Sequence, residues 1–252
     1  MIDIESNFFK IFPKKCGFIF LHSHPDDESF LNAGFIQFLV KFKKNVHIIY
    51  TSAGLVKNIQ LTSQRQKEAY CACNKLGLNQ LVFLNYCDNL HSESSDTIST
   101  SNPKLVANEI LKITKEILPE GTVPVFVSYD RNGGYGHVDH QALHEIGKVL
   151  ISLNHLVIES TMNRDLFFNW IKEAQGRIDA LLIPLRSYWS DNPWLQAKEI
   201  THCYVLKKDE IETKKQTLLA HKSQIHFNQF PAGLDESDYQ DIFGVEYFRI
   251  SK

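Results

Sequence analysis

The stretch CGFIFLHSHPDDESFLNAGFIQFLVKFK, Cys16 to Lys43, decides the fold. Cys16 to Leu21 is a short, uninterrupted apolar run, the pattern of a strand buried on both faces. A tight polar turn follows, and from Glu28 to Lys43 apolar residues recur at helical spacing. A buried strand, a turn and an amphipathic helix make the opening half of a βαβ unit. The chain then repeats the alternation. Val46 to Thr51 reads as a strand ending in Ser52-Ala53-Gly54, and Thr62 to Leu76 as a helix with Gly77 as its C-cap. Leu81 to Asn85 is strand-like, Lys104 to Leu118 helical, and Val123 to Ser128 a further strand. After a glycine-rich loop comes a helix from Asp139 to Ser152, then strand-like His155 to Glu159. Glu199 to Leu206 reads as an arm of a β-hairpin and Glu210 to Lys222 as a helix. The aromatics and prolines between Ile178 and Leu195 fit a loop or cap. This succession predicts an α/β fold, a Rossmann-like and mostly parallel sheet flanked by helices. With no repeat, low-complexity tract or long linker, residues 1–252 read as a single domain.

Composition narrows the function. A formal net charge of −2 and scattered Lys pairs give no basic footprint, so nucleic acid is not an expected partner. Phe30 to Phe42 is too short and too polar to span a bilayer. Met1 to Phe12 lacks the features of a signal peptide. The five cysteines form an odd, irregular set, so disulfides are not expected and the cytoplasm is the expected compartment. Oligomeric state leaves no trace in the sequence.

In open parallel sheets, ligands bind beyond the carboxyl ends of the strands. His22 to Asp27 follow the first strand, Thr51 to Gly54 the second, Asp88 the third, and Tyr129 to His140 the next. Ser23-His24-Pro25-Asp26-Asp27-Glu28 packs one imidazole and three carboxylates into a turn stiffened by Pro25. Such acids repel one another unless a cation or a proton is shared, and a His with an Asp is a normal partial zinc shell. The same acids also suit a helix N-terminus, and the two readings are compatible. A mononuclear zinc site needs a third protein ligand. Gly133-Gly134-Tyr135-Gly136-His137-Val138-Asp139-His140 offers two imidazoles, one to complete a shell and one to face substrate, with an aspartate to fix a tautomer. His144, four residues after His140, could make a helical pair with it or stand apart. His22 ends a buried strand and fits an ordinary core histidine.

Together, the strand–HPDDE–helix start and the later GHxDH loop resemble the PIG-L type (LmbE-like) zinc-dependent N-deacetylases. That family includes GlcNAc-phosphatidylinositol de-N-acetylase and the bacterial deacetylases of the mycothiol and bacillithiol pathways. The resemblance extends to Thr51-Ser52-Ala53-Gly54, to Arg65 and Glu68 in RQKEA, and to His221-Lys222-Ser223-Gln224. It implies a zinc site of His24, Asp27 and His140, with Fe2+ as another candidate metal. It also implies Asp26 as the general base toward a metal-bound water, and His137, hydrogen-bonded to Asp139, as the oxyanion donor. Tyr135 aligns with a mobile tyrosine that polarises the amide carbonyl in some members. Arg65 and Asp88 are candidates for reading sugar hydroxyls, though Arg65 could instead pair with Glu68 on a helix surface. Val138 stands where many bacterial members have proline. The implied substrate is a small N-acetylglucosamine-type conjugate. Two other readings share these residues: a zinc amidohydrolase of another N-acyl substrate, and a non-catalytic Rossmann-like binding protein. His221 could approach the site or only complement a helix end, and Tyr188, Trp189 and Trp194 could stack on a sugar ring or fill core.

Overall fold

All seven residues of β2 (Cys16–His22) are buried, and alternate side chains enter two different cores. Phe18 and Phe20 point to one face of the sheet, Ile19 and Leu21 to the other, as the two-residue period of a strand requires. In the computed structural model, which describes residues 1–53, 59–89, 96–174, 176, 190–226 and 229–251, β2 lies inside an eight-stranded sheet. The other strands are β1 (Ile2–Asp3), β3 (Asn45–Tyr50), β4 (Leu81–Phe83), β5 (Val123–Tyr129), β6 (Leu156–Thr161), β7 (His202–Val205) and β8 (Val245–Ser251). They lie in the order β1-β7-β8-β6-β5-β2-β3-β4. Every neighbouring pair is parallel except those of β8, which runs antiparallel to both β6 and β7. The mostly parallel sheet is therefore as the alternation predicts. The segment read as a hairpin arm is instead β7, parallel to β1.

The helices are α1 (Ile4–Ile11), α2 (Asp27–Leu31), α3 (Ala33–Lys41), α4 (Ile59–Lys75), α5 (Pro103–Ile117), α6 (Val138–Ser152), α7 (Arg164–Glu173), α8 (Lys208–Leu218) and α9 (Glu236–Phe243). Val106 and Ile110 of α5 and Leu143, Ile146 and Leu150 of α6 fill the core on the Ile19 face. Phe8 of α1, Phe35 and Leu39 of α3 and Cys73 of α4 fill the core around Phe18. No helix among the described residues is long and apolar enough to cross a membrane.

The helix expected from Glu28 to Lys43 is two helices, broken at Asn32 (φ −132°, ψ 2°). Two long-range contacts outweigh the local periodicity. The Asn32 amide donates to Ser160 Oγ (2.7 Å), and the Glu246 carboxylate accepts the Gly34 and Phe35 N–H groups (2.8 Å each), capping α3 from β8. Lys214 Nζ, fully buried, neutralises that carboxylate at 2.6 Å. Removing one member of such a buried pair typically costs about 3–5 kcal/mol, so the break in the helix is firmly held.

The chain leaves β2 to build β3 and β4 on one side, then returns to lay β5 on the other. The strand order reverses between β2 and β5, and a crevice opens at their carboxyl ends, where ligands bind in such sheets. Both polar clusters of the sequence begin there.

Candidate metal centre

Two loops converge at this crevice. The turn after β2 brings His24, Asp26 and Asp27, and the loop after β5 brings Tyr135, His137, Asp139 and His140. That second loop can fold tightly because Gly133 (φ 65°) and Gly134 (φ 66°) lie in the left-handed region. A Cβ on Gly133 would come 2.7 Å from the carbonyl oxygen of His137. The loop thus delivers His137 as the N-cap of α6 and His140 one turn in, both facing the crevice.

His24, Asp27 and His140 come together. The Asp27 Oδ1 atom lies 3.4 Å from His140 Nε2, and Oδ2 lies 3.8 Å from His24 Nδ1. Both ring nitrogens of His140 are buried without a hydrogen-bond partner. Burying an unsatisfied imidazole nitrogen is costly, and a divalent cation between these groups would satisfy it. The donor set, two imidazoles and a carboxylate, is a normal one for catalytic zinc.

Geometry also offers two other sets, neither of which includes Asp27. One nitrogen each of His24, His137 and His140 lie within 4.8 Å of one another, and so do ligand atoms of His24, Asp88, His137 and Asp139. Hydrogen bonding argues against His137 as a ligand. Its Nδ1 accepts the backbone N–H of Asp139 (3.2 Å), which places the proton on Nε2 and leaves a donor there. Burial and the neighbouring His140 and His24 push the His137 pKa down to about 3, so the ring is a neutral Nε2–H donor.

The expected bond between His137 and the Asp139 carboxylate takes a different form. The carboxylate faces His24 Nε2 (3.4 Å) and accepts the Asn89 N–H (3.0 Å), and Asp88 Oδ2 sits 3.6 Å from the same nitrogen. Burial pushes the His24 pKa down, but Asp139, Asp88 and Asp27 outweigh it and raise it above the ordinary value. The Asp139 carboxylate therefore faces His24 rather than His137.

Asp26 stands beside this set with its carboxyl raised to about 6, by burial first and then by the Asp27 charge. Asp27 has the opposite fate. Burial pushes it up, but His140 and His24 outweigh that and hold it well below the usual carboxylate range. Arg65 and Asp88 are both buried and face each other at 3.6 Å. The surface pair with Glu68 does not form, since Glu68 accepts from Gln64 and Ser223 instead. Tyr135 edges against both His137 (5.9 Å) and His140 (5.4 Å).

Tyr129, at the end of β5, opens the polar stretch that follows the strand, yet no motif singles it out as a site residue. Its hydroxyl donates to Asp27 Oδ2 (2.6 Å), and its ring stacks on His140 at 4.0 Å and 12°. One side chain therefore orients two of the three candidate ligands. The available signal was its position, a phenol closing a buried strand at the point where the strand order reverses. Tyr129→Phe keeps the stack and removes the hydroxyl. Metal titration is expected to show zinc affinity falling by about 10–100-fold, the usual effect of losing such a partner.

The remaining candidates lie outside. His144 Nδ1 faces Glu159 Oε1 (3.5 Å) and the Tyr129 carbonyl (3.4 Å), away from the ligand groups. His22 is a core histidine 3.4 Å from the Tyr129 hydroxyl. Trp194 is buried against Phe167 (4.6 Å), which makes it core filling and not a platform for sugar. Gly54, Tyr188 and Trp189 lie outside the described residues. His221 reaches Glu28, immediately beneath the turn.

Residues 19–151, over half the chain, match the family model of PIG-L, described as GlcNAc-PI de-N-acetylase. A 1D-myo-inositol 2-acetamido-2-deoxy-alpha-D-glucopyranoside deacetylase of Mycobacterium sp. (strain KMS) is 24% identical over 91% of this chain and 82% of its own length. The enzyme of the same description from Acidothermus cellulolyticus is 23% identical over 91% of this chain and 87% of its own. Among solved structures, the zinc-inhibited form of a teicoplanin deacetylase superposes with a TM-score of 0.64 at 14% identity, covering 93% of this chain and 97% of that one. N,N'-diacetylchitobiose deacetylase from Pyrococcus horikoshii does so with a TM-score of 0.61 at 16% identity, covering 100% and 94%. At these identities the structural likeness speaks for the fold.

Proposed function

The chain belongs to the PIG-L (GlcNAc-PI de-N-acetylase) family, and from that membership we propose that it is a zinc-dependent N-deacetylase acting on an N-acetylglucosamine-type conjugate. The observation that carries this reading is the juxtaposition at one crevice of His24, Asp27 and His140 with Asp26 beside them. A carboxylate next to the candidate ligands is what a hydrolase needs as a base.

His24, Asp27 and His140 hold the metal. The chemistry that a bound zinc supplies is Lewis acidity toward water and toward an amide carbonyl. Asp26 accepts the proton of the attacking water from its place next to the ligand Asp27. His137 offers its Nε2–H to the oxygen that gains negative charge as the acetamide carbon becomes tetrahedral, and Tyr135 offers its hydroxyl to the same oxygen. A donor of this type contributes about 3 kcal/mol, or roughly a hundredfold in rate. As the C–N bond breaks, the proton collected by Asp26 goes to the departing amine, leaving acetate and the free amino sugar. Arg65 and Asp88, a buried pair beside His24, are the candidates for reading hydroxyl groups of the sugar ring.

The test is acetate release from a panel comprising GlcNAc, chitobiose, GlcNAc-inositol and GlcNAc-malate. Release from at least one conjugate is the expected result, and the best of them names the substrate class. Zinc-replete protein that releases acetate from none of them would move the assignment to a different acyl substrate.

A further inference from the structure

Asp26 has a backbone conformation that an L-residue adopts only under constraint, φ 121° and ψ −27°. This lies well beyond the ordinary left-handed well near +60°, and such a conformation persists only where its surroundings over-determine it. Two groups hold the peptide unit that precedes Asp26. On one side Arg65 Nη2 approaches the Pro25 carbonyl oxygen (3.5 Å), and on the other the Glu28 Oε2 atom accepts the Asp26 N–H (3.1 Å). Rotation about the Asp26 N–Cα bond is what these two contacts resist.

Asp26 is also the N-cap of α2, yet its side chain makes no capping hydrogen bond. An aspartate in that position ordinarily turns its carboxylate back onto the helix N–H groups. Here Glu28 reaches back to the N-cap N–H, as the acid of a capping box does, and the Asp26 carboxylate is left available to the crevice. Glu28 is fixed in turn. It is fully buried and accepts hydrogen bonds from Ser29 Oγ (2.6 Å), the Tyr50 hydroxyl (2.7 Å) and His221 Nε2 (2.7 Å). The segment carrying His221 is tied down separately, because Ser223 donates from both N (3.0 Å) and Oγ (2.6 Å) to Glu68 of α4.

We propose that Glu28, locked by His221 and Tyr50, is the positioning residue that keeps Asp26 in this backbone conformation and so aims the base at the reacting water. The proposal rests on the reading of Asp26 as the base. It gives the late His221-x-Ser223-Gln224 stretch and the Arg65-x-x-Glu68 helix a shared task, which is to brace the acidic turn from below.

The experiment compares zinc-loaded wild type with His221→Ala, His221→Gln and Tyr50→Phe by amide exchange at Asp26, zinc affinity and steady-state kinetics. In His221→Ala, exchange of the Asp26 amide is expected to accelerate at least about tenfold, as a lost local restraint does. The same variant should lose about 10–100-fold in kcat, while KM and zinc affinity stay within about threefold. His221→Gln, which retains an N–H donor, should recover most of the loss. Tyr50→Phe should move exchange and kcat the same way by less, and it decides the matter if His221→Ala does not fold. Unchanged exchange and kcat in a folded variant would overturn the proposal, as would zinc lost in step with rate, because the brace would then serve Asp27. Were wild type to release no acetate from any conjugate, the functional reading would fall, while Asp26 exchange would still decide whether the brace exists.

Discussion

Asp26→Asn is expected to bind zinc as wild type does and to lose about 10²–10⁴-fold in kcat, the range attributed to a general base. The substitution is nearly isosteric, and asparagine tolerates positive φ among the best of the non-glycine residues, so the turn should survive. Its N–H is still there for Glu28 to accept. What disappears is the carboxylate that takes the proton from water. Replacing a carboxyl beside Asp27 with a neutral amide also removes a like-charge contact, so folding stability should not fall. A rate within a few-fold of wild type would remove Asp26 from its role, and zinc lost along with rate would make it a ligand.

His140→Ala should have the opposite signature. Its ring lies 3.4 Å from Asp27 and stacks on Tyr129, so its loss removes a donor from the centre and a support from its neighbour. Losing an outer partner of a metal ligand costs about 10–100-fold in affinity, and losing a ligand should cost more than that. Acetate release should drop to background at one equivalent of zinc, with affinity reduced by more than about 100-fold. The paired outcome discriminates, with metal kept and rate lost at Asp26, and metal and rate lost together at His140. Retained stoichiometric zinc in His140→Ala would favour the alternative set of His24, Asp88, His137 and Asp139.

The heart of the fold is legible because β2, its turn and the start of the next helix sit within 28 consecutive residues, Cys16 to Lys43. The buried strands have the apolar runs that parallel sheets require, and the polar clusters fall at their carboxyl ends. Other elements left weaker traces. The two-residue β1 has no periodicity to detect. The antiparallel β8 is recognised by its partners β6 and β7, which no local pattern reveals. The break at Asn32 depends on Ser160 and Glu246, far away in the chain.

The site divides along the same line. His24, Asp26, Asp27, His137 and His140 are visible because two short motifs carry them. Tyr129 opens the polar stretch after Val123 to Ser128, but no motif marks its hydroxyl, whose partner Asp27 lies in the other loop. Glu28 reads as a third acid of the turn, and its bonds to Tyr50 and His221 appear only in three dimensions. The direction in which Asp139 faces was also out of reach. A sequence shows that an aspartate is near His137, but not that its carboxylate turns to His24 while its backbone N–H takes His137.

Hydrolysis of an N-acetyl group at a metal held by His24, Asp27 and His140 is the proposed activity. The measurement that reaches it most directly follows zinc content and acetate release together on the preferred conjugate, through chelation and zinc restoration. One tightly held zinc per chain is expected, with release that stops when it is stripped and recovers on adding one equivalent back. Acetate release that persists in metal-free protein would contradict it.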